Sequence, residues 1–362
     1  MIRLSNRPNR IGRNFHPAIF IAAAFLCLAA SGASAQEAGP APKQTIRVAS
    51  DVVRISASVL DKKGNFVTGL EEANFRVLDN GAPQPILSFA PMDAPAEVLV
   101  LVETSPAVYL FHEEYIGAAY ALLEGLSPED EVALATYDDA PHPLLGFAPD
   151  KTALLEAIGR IQYGVGMGQL NFYDSVSTVL DWLPPSASKR ALVLLTTGLD
   201  SSNSARWDAL VHKLRTKDVV IYSVALGGSL RNPSEKKSKP KSKGKSKAKK
   251  EQQNQSVMGD EPASGPSRLS FAQANQDLRS LAEITGGRAY FPASPEEFVS
   301  IYREIAATLR HQYVLAIAPA QDGQFHGLKV EVLRPNGDVA AAEGENTPEK
   351  VFARQGYLAP NQ

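Results

Sequence analysis

Glu97-Val98-Leu99-Val100-Leu101-Val102-Glu103-Thr104-Ser105-Pro106-Ala107 is the stretch on which the fold turns. Residues 98–102 are all apolar, with no polar partner between them. A strand with one wet face alternates; a strand without alternation is buried on both faces, as in a parallel sheet covered by helices. Val132-Ala133-Leu134-Ala135-Thr136, Ala191-Leu192-Val193-Leu194-Leu195 and Val219 to Ala225 have the same character. Leu144 to Phe147 reads as a hairpin arm beside the second of these strands, and Arg288 to Phe291 as a short last strand.

The segments between them carry apolar residues at three- and four-residue spacing, which predicts helices lying on a sheet. They run over Glu113–Leu123, Lys151–Ile161, Phe172–Leu183, Ala205–Leu214, Asp277–Ile284 and Pro295–Leu309. Asp150 is placed to cap the second helix, and Pro184-Pro185 to stop the third. The alternation predicts a doubly wound, mostly parallel α/β domain over residues 95–310. On either side the pattern changes to short strands. Residues 46–94 hold an alternating strand from Ile46 to Leu60, a turn at Asp61-Lys62-Lys63-Gly64, and two arms about Asp79-Asn80-Gly81, Phe75–Leu78 and Pro85–Phe89. Residues 311–359 hold Tyr313–Ala318, Leu328–Leu333 and Val351–Tyr357, with a turn at Pro335–Asp338. The two ends are expected to pack together as one accessory β domain; two separate attachments are the alternative.

The formal charge of −2 over 362 residues conceals unlike regions. Arg3, Arg7, Arg10 and Arg13 precede the apolar run Ala18–Ala30, and Ser34-Ala35 closes a small-x-small pattern. Residues 1–35 therefore read as a signal peptide, an uncleaved anchor being the alternative, and 36–45 as a loose leader. Cys27, the single cysteine, lies within that run, so the exported chain would have no disulfide and no thiol. Residues 231–262 form a Lys-rich insert without a core-forming pattern, with nine lysines between Lys236 and Lys250 and a net charge of +6. Setting aside the four leader arginines takes −2 to −6, and setting aside the insert takes it to −12. The insert either steers an acidic partner or an anionic envelope surface, or is a solvated spacer. Nucleic acid is not expected, because no aromatic residues interleave the lysines and the remaining chain is acidic.

In an open parallel sheet, ligands bind beyond the carboxyl ends of the strands. Three segments are expected there: Glu103 to Ala107, the glycine loop Gly166 to Asp174, and Thr196-Thr197-Gly198-Leu199-Asp200. With these in view the chain resembles the von Willebrand factor A family. More narrowly, it resembles the von Willebrand A-related proteins abundant in acidobacteria. The flanking features that carry the likeness are Asp61–Gly64, Phe75–Gly81, Thr285-Gly286-Gly287-Arg288 and Arg354-Gln355-Gly356-Tyr357. The resemblance covers residues 46–358. It implies a Rossmann-like von Willebrand A fold and, in the family, a divalent cation that recruits an acidic group from a partner protein. That ion is held by an Asp-x-Ser-x-Ser loop, a Thr in the glycine loop and an Asp in a Thr-Asp-Gly loop. Carried onto this chain, those positions are Glu103, Ser105, Ala107, Leu170 and Thr197.

Mg²⁺ takes six oxygens at about 2.0–2.1 Å. Ala107 and Leu170 offer no side-chain oxygen, Thr197 offers a neutral one, and Glu103 adds a methylene. A degraded cation site is therefore expected, with no cofactor. Asp174 and Asp200 are the alternative for a looser Mg²⁺ or Ca²⁺ site, or else ordinary surface residues. The partner-binding rim is read as Pro106, Val108, Leu170, Asn171, Thr197 and Asp200, the apolar members being either contact residues or local packing. No enzyme is expected. His112, His142, His212, His311 and His326 form no metal-type pair, and Ser105 is not in a Gly-x-Ser-x-Gly elbow. The Asp138-Asp139 and Glu113-Glu114 pairs read as solvated, and the glycine loop lacks the Lys-Ser/Thr of a phosphate loop. The function expected is an exported protein-binding module. A structural part of an envelope assembly, binding through the β unit, is the second reading, and a hydrolase the third.

Overall fold

The computed structural model describes residues 52–90, 94–109, 112–164, 169–183, 189–201, 204–227, 271–294, 296–333 and 348–361. The leader, the Lys-rich insert, Gly166–Gly168 and the Pro335–Asp338 turn lie outside these residues. In chain order the first strands are β1 (Val53–Asp61), β2 (Phe75–Asp79), β3 (Ala82–Gln84), β4 (Ser88–Ala90) and β5 (Ala96–Glu103). Then come α1 (Pro106–Tyr109), α2 (His112–Gly125), β6 (Glu131–Tyr137), β7 (Pro141–Ala148), α3 (Lys151–Gly159), α4 (Phe172–Trp182), β8 (Lys189–Thr196), α5 (Ser204–Thr216) and β9 (Val220–Ala225). The chain continues through α6 (Phe271–Thr285), β10 (Arg288–Tyr290), α7 (Glu297–Arg310), β11 (Gln312–Ile317), β12 (Phe325–Val332), β13 (Pro348–Phe352) and β14 (Gly356–Leu358).

The main sheet has the order β10-β9-β8-β5-β6-β7. All its pairings are parallel except β6 with β7. Numbered along the chain, this is the doubly wound order 3-2-1-4-5-6, whose switch point falls between β5 and β8. Every residue of β5 is buried, as its uninterrupted apolar run requires. Val98, Val100 and Val102 join the core under α2, α3 and α7. Leu99 and Leu101 join the opposite core under α4, α5 and α6. The period of two puts Glu103 in register with Leu99 and Leu101, at the end of the strand. The fold class is thus the von Willebrand A-type, Rossmann-like doubly wound sheet. Asp150 caps α3 as expected, its carboxylate accepting from the Thr152 and Ala153 amides.

The two ends of the chain build two further four-stranded sheets, β13-β1-β11-β4 and β14-β12-β2-β3. β1 pairs antiparallel with β11 and β13, and β12 with β2. Both sheets share one core that includes Ile55, Val77, Tyr313, Leu315, Val332 and Tyr357. Two strand expectations need correction. The arm across Asn80-Gly81 is Ala82–Gln84, whereas Ser88–Ala90 crosses to the other sheet and pairs with β11. The tail run Val351–Tyr357 is two strands in two sheets. Arg354 separates them and turns inward, with an exposed surface of only 9%.

Candidate functional site

β6, β5 and β8 lie side by side and parallel, so their carboxyl ends meet at one rim. Glu103 ends β5, with Tyr137 opposite it on β6 and Thr196 at the end of β8. The Glu103 side chain has 0% exposure. A carboxylate taken out of water must be hydrogen-bonded. Ser105 Oγ donates to its Oε1 at 2.6 Å. Its Oε2 accepts from the Thr197 amide at 2.6 Å, the Thr197 hydroxyl at 2.8 Å, and the Tyr137 and Thr196 hydroxyls at 3.0 Å each. The Tyr137 and Thr196 hydroxyls also lie 2.5 Å apart; each has one proton, so whichever donates to the other leaves Glu103 to its partner.

Burial, and then the nearby Glu103 carboxylate, push the Tyr137 phenol well above its ordinary pKa. It stays a neutral donor. Thr196 Oγ1 in turn accepts from the Gly198 amide at 2.7 Å. That turn needs glycine: Gly198 has φ +69°, and a Cβ there would stand 2.9 Å from Leu278 Cδ1.

The other rim residues have different partners. Leu170 is half-buried; its amide donates to Ser201 Oγ at 3.1 Å and its carbonyl accepts from the Ser201 amide at 2.8 Å. Asp200 accepts from the Tyr173 amide at 2.8 Å, in the first turn of α4, where a helix leaves its N–H groups unpaired. Asp174 pairs instead with Arg206 of α5, at 3.3 Å. Two expected rim residues are not at the surface: Val108 is wholly buried in the core, and Thr197 is buried with its hydroxyl on Glu103, while Pro106 is exposed and Asn171 half-buried.

The turn from β6 to β7 brings His142 beside the Asp138-Asp139 pair. Asp138, Asp139 and His142 offer ligand atoms within 4.8 Å of one another. His142 Nε2 is 3.3 Å from Asp138 Oδ1. Burial works to raise the Asp138 carboxyl, but hydrogen bonds with Asp139, with His142 and with the Ala140 backbone outweigh it and hold the group below the usual carboxylate range. Asn171 joins this turn to α4, its side chain donating to the Asp139 carbonyl at 2.8 Å and its amide to the Asp138 carbonyl at 3.0 Å. The signal available in the sequence was a histidine four residues after an acid across a short turn. Tyr137 does not stand out in the sequence because the last residue of a buried strand reads as core, and Thr196, although within the Thr196–Asp200 segment, meets Glu103 only through the pairing of β5 with β8.

No protein-family model matches this chain, and no curated protein matches it. Among solved structures it is similar to an aerotolerance-related membrane protein from Bacteroides fragilis, at 12% identity, covering 59% of this chain and 98% of that one with a TM-score of 0.41. A von Willebrand factor type A protein from Catenulispora acidiphila is similar at 10% identity, over 82% of this chain and 72% of that one, with a TM-score of 0.43. Proximal thread matrix protein 1 from the mussel byssus is similar at 11% identity, over 64% and 49%, with a TM-score of 0.42. These likenesses are of fold and distant; the fold assignment stands on this chain's own strand order. Among the described residues, no helix is long and apolar enough to cross a membrane.

Proposed function

We propose that this chain is an exported, non-enzymatic protein-binding module of the acidobacterial von Willebrand A-related type, and that its rim recognises a partner without a cation. The observation that carries the reading is the Glu103 carboxylate, closed off from solvent and surrounded by donor groups of Ser105, Tyr137, Thr196 and Thr197. A divalent ion needs open oxygen ligands and would have to displace those donors. An ion on Glu103 would break its bonds from the Ser105 and Thr197 hydroxyls, and at the Leu170 position the side chain is hydrocarbon. The rim residues therefore do not fit a hard cation. Pro106, Leu170, Asn171 and Asp200 form the surface a partner would touch, by shape and hydrogen bonds.

Photo-crosslinkers at Pro106 and Leu170, and separately at Leu87 of the β unit, test this in cells that export the chain. Rim capture that persists in a chelator is expected. Rim capture abolished by chelator and restored by Mg²⁺ would overturn the metal-independent reading. One observation favours the second reading, a structural role through the β unit: Val52, Leu87 and Phe325 there are 39%, 54% and 43% exposed. Capture from Leu87 alone would select it.

A further inference from the structure

A cavity of about 450 Å³ opens where the β sheets meet α5. Three arginines line it, Arg54 of β1, Arg215 of α5 and Arg354 between β13 and β14, with Asp218 as the one acid among its described residues. Asp218 already accepts from Arg190 Nη2 at 3.2 Å. Arg354 belongs to the Arg-Gln-Gly-Tyr stretch for which the rim gives no role. It is nine-tenths buried, and among the described residues its guanidinium donates to two backbone carbonyls. Its Nε donates to Gly356 O at 3.0 Å and its Nη2 to Arg215 O at 3.1 Å. A guanidinium carries five N–H donors and stays charged, so three are not taken up by any described residue.

Burying a cation is costly, and burial pulls the Arg354 pKa down; Asp218, which also bonds Arg190, opposes this but does not outweigh it. Arg215 is held over the Phe325 ring, 4.4 Å from its centroid, which fixes its planar group at the cavity wall. The cavity is within the usual range for small-molecule sites. Guanidinium forks match carboxylate and phosphate oxygens in geometry.

We propose that this cavity binds a small oxyanion, a carboxylate or phosphate, on the guanidinium groups of Arg354, Arg215 and Arg54. The chain thus carries a ligand site away from the rim, in a body whose overall charge is negative.

Calorimetric titration of the exported chain with inorganic phosphate, and separately with succinate, tests the site and tells the two anion chemistries apart. One-per-chain saturable uptake of at least one probe is expected. Arg354→Gln and Arg215→Gln should each weaken it about tenfold or more. Arg206→Gln, on a different part of α5 and paired with Asp174, should leave it unchanged. If Arg354→Gln fails to fold, Arg215→Gln still decides, because the backbone carbonyl that Arg354 uses is retained. No saturable uptake of either probe, or uptake indifferent to Arg215→Gln and lost on deleting 231–262, would overturn the proposal.

Discussion

Glu103 at the rim of the parallel sheet and Arg354 between the tail strands are both at least nine-tenths buried, yet their surroundings are opposite. The carboxylate sits where three strand ends converge and is met by hydroxyls and an amide from Ser105, Tyr137, Thr196 and Thr197. The guanidinium is met by two carbonyls and faces a cavity. A buried charge that has recruited its full complement of neutral dipoles gains little from a ligand, whereas one with unused donors at a cavity gains much. In a doubly wound sheet, where ligands bind beyond the carboxyl ends of the strands, the rim charge is the closed one and the charge beside the β sheets is the open one.

Removing the charge at the rim should break the comparison most severely. Glu103→Ala leaves the buried donors of four residues without their acceptor, and chemical denaturation should register a loss of about 4 kcal/mol. On the other side of the comparison, Gly286 has φ +81°, and a Cβ there would lie 2.6 Å from Ala353 C and Arg354 N. Gly286→Ala should cost about 3 kcal/mol in the same assay and, by displacing the Arg354 segment, reduce phosphate or succinate uptake. Tyr137→Phe withdraws a single donor from Glu103 and should cost about 1–2 kcal/mol, without creating cation binding.

A smaller effect sharpens the account of the β unit. His326 is 2.6 Å from Asp79 and 3.1 Å from Asp322. The Asp79 hydrogen bond raises its pKa against the opposing effect of burial, with Asp322 adding to the rise. The folded state therefore binds the proton more tightly than the unfolded chain. The stabilisation is fully present below the unfolded value of about 6.5 and is lost as pH climbs through the raised folded value. His326→Asn should cost about 1 kcal/mol at about pH 5.5 and less at alkaline pH, as denaturation at the two pH values would show. Arg206→Ala, which removes only the exposed pair with Asp174, should change stability by less than about 0.5 kcal/mol.

Much of the fold was legible because burial on both faces writes uninterrupted apolar runs, as in residues 98–102 and 191–195. The ends of the chain were harder. In β3 and β4 the residues are mostly half-exposed or exposed, so their composition does not distinguish which sheet each joins. Glu103, Ser105 and Thr197 stood out by their place after core strands, but the direction of Glu103, inward to Tyr137 and Thr196, depends on strand register. Asp138, Asp139 and His142 were visible individually and become a cluster only through the β6–β7 turn. The Arg354 cavity was not legible, since residues 54, 215 and 354 are drawn together from three distant parts of the chain.

The most direct test of the central claim is calorimetric titration of the exported chain with Mg²⁺ and Mn²⁺, alongside its Glu103→Gln and Ser105→Ala variants. A saturated, closed Glu103 carboxylate predicts no tight ion uptake by the unsubstituted chain. Sub-millimolar uptake of one ion per chain, abolished in both variants, would contradict it.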